Sequence, residues 1–160
     1  MRLDHAWIAR HIPHHGRMCL LDEVTEWDAA RIRCRSASHR AADHPLRSRG
    51  RLGAACGIEY AAQAMAIHGA LAAGAAGAAA SDRERAGEFR AAVGFLASLR
   101  DVRLYVARLD DIDGDLLCEA TRTAGDAGSA LYEFAVGCES GKLLSGRATV
   151  LLDADQRLNL

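Results

Sequence analysis

Two hydrophobic rhythms divide this chain. From Ala55 to Ala73 the residues Ile58, Ala62, Met65 and Ala66 recur at helical spacing, and the small alanines let such a helix lie close against a sheet. Strand-like alternation prevails elsewhere. Ile32, Cys34 and Ser36 alternate with Arg31, Arg33 and Arg35, which predicts a strand with one dry and one wet face. A looser alternation over Met18–Trp27 predicts a strand before it, and Asp28-Ala29-Ala30 is short enough to join the two as a hairpin. The second half reads as β throughout, with strands over Val93–Val106, Leu116–Thr123, Ala130–Cys138 and Lys142–Leu152. Turns at Asp113-Gly114-Asp115, Gly125-Asp126 and Ser140-Gly141 predict an antiparallel meander.

The remaining segments are irregular. Residues 4–12 suit a short helix ending at Pro13, and residues 39–53, rich in Arg, His, Asp and Gly, form a loop. Gly74 and Gly77 punctuate an alanine-rich tail, expected to fray into a mobile loop through Arg85. One long apolar helix with a mostly antiparallel sheet is an α+β arrangement, and 160 residues make one domain, 1–160, with a single core. The pattern alone admits more than one α+β roll.

Composition narrows the function classes. Half of the residues are hydrophobic and 26% are charged, as in soluble globular proteins. A net charge of −1 and 5% aromatics, not interleaved with the basic residues, argue against nucleic-acid binding. Leu52–Ala80 is interrupted by Glu59, Gln63 and His68, so no membrane span is expected. Five scattered cysteines without a CxxC pair read as free thiols in a reducing compartment. The start of the chain lacks the apolar core of a signal peptide, and a cytoplasmic location is the expectation.

Two segments carry candidate chemistry. Ile12-Pro13-His14-His15-Gly16-Arg17-Met18-Cys19-Leu20-Leu21-Asp22 is a proline-fixed turn with two histidines, feeding a strand. Gly53-Ala54-Ala55-Cys56-Gly57-Ile58-Glu59-Tyr60-Ala61-Ala62-Gln63 places a carboxylate early on the apolar helix, with Gln63 one turn later on the same face. Two influences oppose each other at Glu59: the helix dipole favours the anion, and burial favours the neutral acid. If burial prevails, the acid stays protonated near neutrality and can donate to a leaving hydroxyl. His11, His14 and His15 lack a carboxylate or Cys at a spacing that completes a metal set, so no metal is expected. The run Arg47-Ser48-Arg49-Gly50-Arg51 is a local basic cluster, read as solvated surface or as a phosphate-binding fork.

Pro-His-x-x-x-Met-x-Leu-Leu-Asp, followed some forty residues later by Gly-Ile-Glu-Tyr-x-x-Gln, resembles the FabZ-type 3-hydroxyacyl-[acyl-carrier-protein] dehydratases. The resemblance is closest to the divergent branch associated with aryl-polyene clusters. Val93-Gly94-Phe95-Leu96-Ala97-Ser98-Leu99-Arg100-Asp101-Val102-Arg103 resembles the strand after the central helix in that superfamily. The resemblance implies a hot-dog fold, a curved antiparallel sheet wrapped around one long helix, which accommodates the predicted element order. It also implies dehydration of a 3-hydroxyacyl thioester to the trans-2-enoyl thioester, with a histidine as base and a helix carboxyl as acid. Carried over residue by residue, Glu59 is the acid, Gln63 its neighbour, and Gly53-Ala54 the turn whose amides polarise the carbonyl. His14 or His44 is the base. Main-branch enzymes hold that histidine in His-Phe-Pro, whereas this chain has Asp43-His44-Pro45-Leu46. The substrate is implied to ride on the phosphopantetheine of an acyl carrier protein, with no cofactor or metal; on the functional reading of the basic run, Arg49 and Arg51 dock that carrier or its phosphate. A homodimer, or a hetero-pair with another hot-dog chain, is implied as well. The rival readings are an acyl thioesterase on the same fold and an inactive partner subunit of a true dehydratase.

Overall fold

The computed structural model describes residues 3–80 and 94–152. Helix α1, His5–His11, starts where the Asp4 side chain accepts the Trp7 N–H, and it carries Arg10 and His11 at its carboxyl end. A short hairpin follows, β1 (Glu23–Trp27) and β2 (Arg31–Ser36), in which Asp28 caps the turn by accepting the N–H groups of Ala30 and Arg31. The long helix α2 spans Gly57–Ala80, led in by a 3-10 turn at Ala54–Cys56. Strands β3 (Phe95–Leu104), β4 (Leu116–Gly125), β5 (Ser129–Cys138) and β6 (Gly141–Leu151) complete one antiparallel sheet of order β1-β2-β4-β5-β6-β3.

Helix α2 lies across β2, β4 and β5. The inward residues of those strands alternate as predicted: Ile32, Cys34 and Ser36 face Leu116, Cys118 and Ala120, and Ala130, Tyr132, Phe134 and Val136 continue the layer. Close approach is built into the helix start. A Cβ on Gly57 would collide with the fully enclosed side chain of Leu144. Gly57→Ala is therefore expected to destabilise the fold by about 1–3 kcal/mol, read as a lower midpoint in urea; an unchanged midpoint would show that Leu144 has room to turn away.

Three expectations change. The segment before β1 is a 3-10 turn (Gly16–Met18) and an extended stretch, not a strand from Met18. Cys19, Leu20 and Leu21 are buried in succession, which single-sided strand alternation does not allow. The helix runs on to Ala80 through Gly74 and Gly77, because a run of alanines outweighs the cost of about 1 kcal/mol per glycine. The loop foreseen through Arg85 lies, from 81 onward, outside the described residues, as does Val93. Finally, β4, β5 and β6 do form a meander, but β3 lies beyond β6 at the sheet edge instead of beside β4. The chain from 105 to 115 crosses back and holds the helix start: Leu109 N–H donates to Leu52 O at 2.8 Å and Ala54 N–H to Ala107 O at 3.1 Å. No described helix is long and apolar enough to cross a membrane.

Candidate active site

Glu59 lies in the first turn of α2, on the rim of the face that α2 turns toward the sheet. Against it stands His14, delivered by the extended turn that follows α1, whose last residue before the turn, Ile12, is anchored in the core. His14 Nε2 is 2.8 Å from Glu59 Oε1, and the two side chains are 27% and 31% exposed, so the contact is sheltered yet reachable. His14 Nδ1 is buried without a partner among the described residues, which leaves Nε2 as the nitrogen at the reachable edge.

Gln63 ties Glu59 to the segment that follows His14. Its Nε2 donates to Glu59 Oε1 at 3.0 Å and to Met18 O at 2.7 Å, and its Oε1 accepts the Leu20 N–H at 2.9 Å. It is completely buried. All its polar capacity faces protein.

The opposing influences on Glu59 resolve in favour of the anion. Burial pushes its carboxyl up, but the hydrogen bonds from His14 and Gln63 and the His14 charge together outweigh it, and the group ends below its ordinary value. The acid form foreseen under prevailing burial is thus not the resting form.

His44 is not brought to this pair. It is buried at 5% exposure, its Nε2 lies 2.9 Å from the Tyr60 hydroxyl, and its Nδ1 accepts the Leu46 N–H at 3.1 Å. Both ring nitrogens are engaged, and burial and then the Arg47 charge hold it below the ordinary imidazole value. A lone pair for an incoming proton is lacking, so the candidate role as base passes to His14 alone. The helix-start turn splits likewise. Ala54 donates its N–H to Ala107, which removes it as a donor to a ligand. Gly53 pairs with Arg108 across an antiparallel bridge in which its own N–H points away, and it is exposed.

Arg49 and Arg51 are exposed at the tip of a tight turn closed by Ser48 and Arg51, with φ of 51° at Arg49 and 74° at Gly50. Arg47 differs: it bonds the carbonyls of Ala41 and Gly50 and approaches Asp110, and so braces the loop. Asp22 accepts the Ala37 N–H at 2.7 Å. Among the described residues no cluster of His, Cys, Asp or Glu has the makings of a metal site. A concavity of about 560 Å³ lies on the outer sheet face among Asp101, Tyr105, Glu133 and Arg147, away from Glu59. Arg147 there pairs with both Asp101 and Glu133.

One antiparallel sheet packed around a single long helix defines a hot-dog domain. The family model described as ApeP dehydratase matches residues 6–158, and the chain belongs to this ApeP-like dehydratase family, related to aryl-polyene clusters. A search of curated proteins finds no match. Among solved structures, the dehydratase heterocomplex ApeI:P from Xenorhabdus doucetiae superposes with TM-score 0.70 at 22% identity, over 96% of this chain and 97% of that one. AziG of S. sahachiroi gives 0.55 at 15% identity, covering 84% and 91%. Zebra fish thioesterase superfamily member 2 gives 0.56 at 16%, covering 92% of each.

Proposed function

We propose that this protein dehydrates a 3-hydroxyacyl chain, carried as a thioester on an acyl carrier protein, to the trans-2-enoyl thioester and water. The observation that carries the reading is the 2.8 Å contact between His14 Nε2 and Glu59 Oε1 at the start of α2. A pair sharing one proton can take a proton from C2 and give one to the C3 hydroxyl without changing its total. Substrate binding removes water from the pair and strengthens the influence that already pushes Glu59 up, so the shared proton moves from Nε2 to the carboxyl. Nε2 then accepts the C2 proton, the C2–C3 double bond forms, and the hydroxyl leaves as water with the Glu59 proton. Proton exchange between Nε2 and Oε1 restores the pair.

The outward N–H of Gly53, at the positive end of α2, suits the thioester oxygen as charge develops there. Arg49 and Arg51 offer guanidinium forks to the pantetheine phosphate and the acidic carrier surface. The thioester itself acidifies C2, so no cofactor is required. Strand β3 is an edge that exposes Phe95, Leu96, Leu99, Val102 and Leu104, which suits pairing with the same edge of a second hot-dog chain, like or unlike, with the acyl chain lodged between subunits.

Purified protein incubated with 3-hydroxyacyl and plain acyl carrier thioesters tests the reading. Enoyl product is expected from the first and nothing from the second. Free thiol released from either substrate would make the chain a thioesterase. Turnover that appears only when a second hot-dog dehydratase is added would make it a partner subunit. Light scattering on the same sample should give at least two chains per particle; a single-chain mass would sink the β3 pairing.

A further inference from the structure

We propose that Tyr60 and His44 are positioning residues for the Glu59–His14 pair and act on it through the backbone of Leu20. The inference rests on the dehydratase reading for its kinetic consequence, and on geometry alone for its structural one.

A buried chain of hydrogen bonds links them. His44 Nε2 meets Tyr60 OH at 2.9 Å, Tyr60 OH meets Ser38 Oγ at 2.7 Å, Ser38 Oγ meets Ser36 Oγ at 3.0 Å, and Ser36 Oγ donates to Leu20 O at 2.5 Å. The direction of every bond is forced from one end. Because His44 Nδ1 accepts the Leu46 N–H, the ring proton sits on Nε2 and is donated to Tyr60. Tyr60 then donates to Ser38, Ser38 to Ser36, and Ser36 to Leu20. Ser36 is completely buried, as are Tyr60 and Leu20 to within 1%, and Ser38 is half-buried, so the bonds at the two ends of the chain, His44–Tyr60 and Ser36–Leu20, have no easy substitute in water.

Leu20 is where this chain meets the active pair. Its carbonyl ends the Tyr60 chain, and its N–H, 2.9 Å from Gln63 Oε1, begins the clamp that holds Glu59. Tyr60 and Glu59 are adjacent on α2 and point to different sides of it, one into each set of bonds. The helix start is thus fixed against the His14 segment from two sides. The histidine that looks catalytic by its place before the helix instead serves this network.

Tyr60→Phe removes only the hydroxyl and keeps the core filled. It is expected to lower kcat about 10–100-fold with little change in KM, the size of a misplacement of about 1 Å. The His14 ring resonances followed by NMR should titrate differently from the wild type, since the Glu59 contact would have shifted. His44→Gln keeps an N–H for Tyr60 and should retain more activity than His44→Asn, which keeps only the acceptor for Leu46. Should Tyr60→Phe fail to fold, Ser36→Ala, which cuts the last bond, replaces it. An identical His14 titration in Tyr60→Phe or Ser36→Ala and in the wild type would overturn the inference. That measurement needs no turnover, so it decides the matter even if the wild type makes no enoyl product, a result that would count only against the proposed reaction.

Discussion

Glu59→Gln is expected to lower the dehydration rate by about 10²–10⁴-fold, the usual range for a lost general acid, while the protein keeps its fold and its assembly state. The replacement is nearly isosteric and can still bond Gln63, but its amide has no proton to deliver to a departing hydroxyl. The pH profile should change with it. Catalysis needs one proton on the His14–Glu59 contact, so the wild type loses activity when acid adds a second proton, because Nε2 then has no lone pair for C2. Since the His14 and Gln63 bonds hold the Glu59 carboxyl below its ordinary value, the acid limb intrinsic to the pair falls below the usual carboxylate range of about 4.3. Glutamine at 59 should abolish that limb. Stopped-flow measurement of enoyl formation reads both effects, and a variant within threefold of the wild type would remove Glu59 from the chemistry.

Much of this was legible in the residues, and for identifiable reasons. The α2 segment announced itself because helical periodicity over many residues is hard to mimic, and Glu59 stood out because a carboxylate on so apolar a helix is costly to shelter. β2, β4, β5 and β6 followed from alternation, which depends only on one face being buried. What escaped was everything set by contacts distant in sequence. Asp113-Gly114-Asp115 reads as a hairpin turn, yet the chain before it detours past Leu52 and Ala54, and β3 pairs with β6. Gln63 one turn after Glu59 shows a shared face, but the backbone of Met18 and Leu20 that saturates its amide is invisible until the fold closes. The same holds for His44: its place before the helix suggests a base, and only Tyr60 and Leu46 reveal that both nitrogens are occupied. Tyr60 stood in the helix motif without a role of its own, and Ser36 and Ser38 carried no chemical signal, since serines at a strand end read as ordinary core and turn residues.

Stability should fall as pH drops from 7 to about 5. Three imidazoles are enclosed in this fold: His39 and His68 at 0% exposure and His44 at 5%. Burial, the largest influence on each, holds all three below the ordinary value, aided at His44 by Arg47 and His39, at His39 by Arg40 and at His68 by Arg122. Bonds to Ile112 O at His39 and to Asp28 O at His68 oppose the shift without reversing it. The sign follows from proton counting. Below about 6.5 the unfolded chain binds protons at these sites that the native fold refuses, so acid favours unfolding. Each site contributes up to about 1.4 kcal/mol per pH unit until its folded value is reached, and three together set a ceiling of about 4 kcal/mol per unit. Against a total stability of about 5–15 kcal/mol, that is a large fraction. The carboxylates held low by their partners, Asp28, Asp110, Asp115 and Glu59, work in the same direction but only near and below about pH 4, which leaves the interval from 6.5 to 5 to the imidazoles. A fall in Tm between pH 7 and 5.5 is expected, bounded by that ceiling at about 2–4 °C per kcal/mol for a chain of this size. A Tm that stays level across that interval would mean that these rings take up protons without loosening the core. It would also assign any acid loss of activity to the Glu59–His14 pair itself; if Tm falls as expected, activity lost between pH 6 and 5 reflects unfolding, and the pair's own acid limb lies lower still.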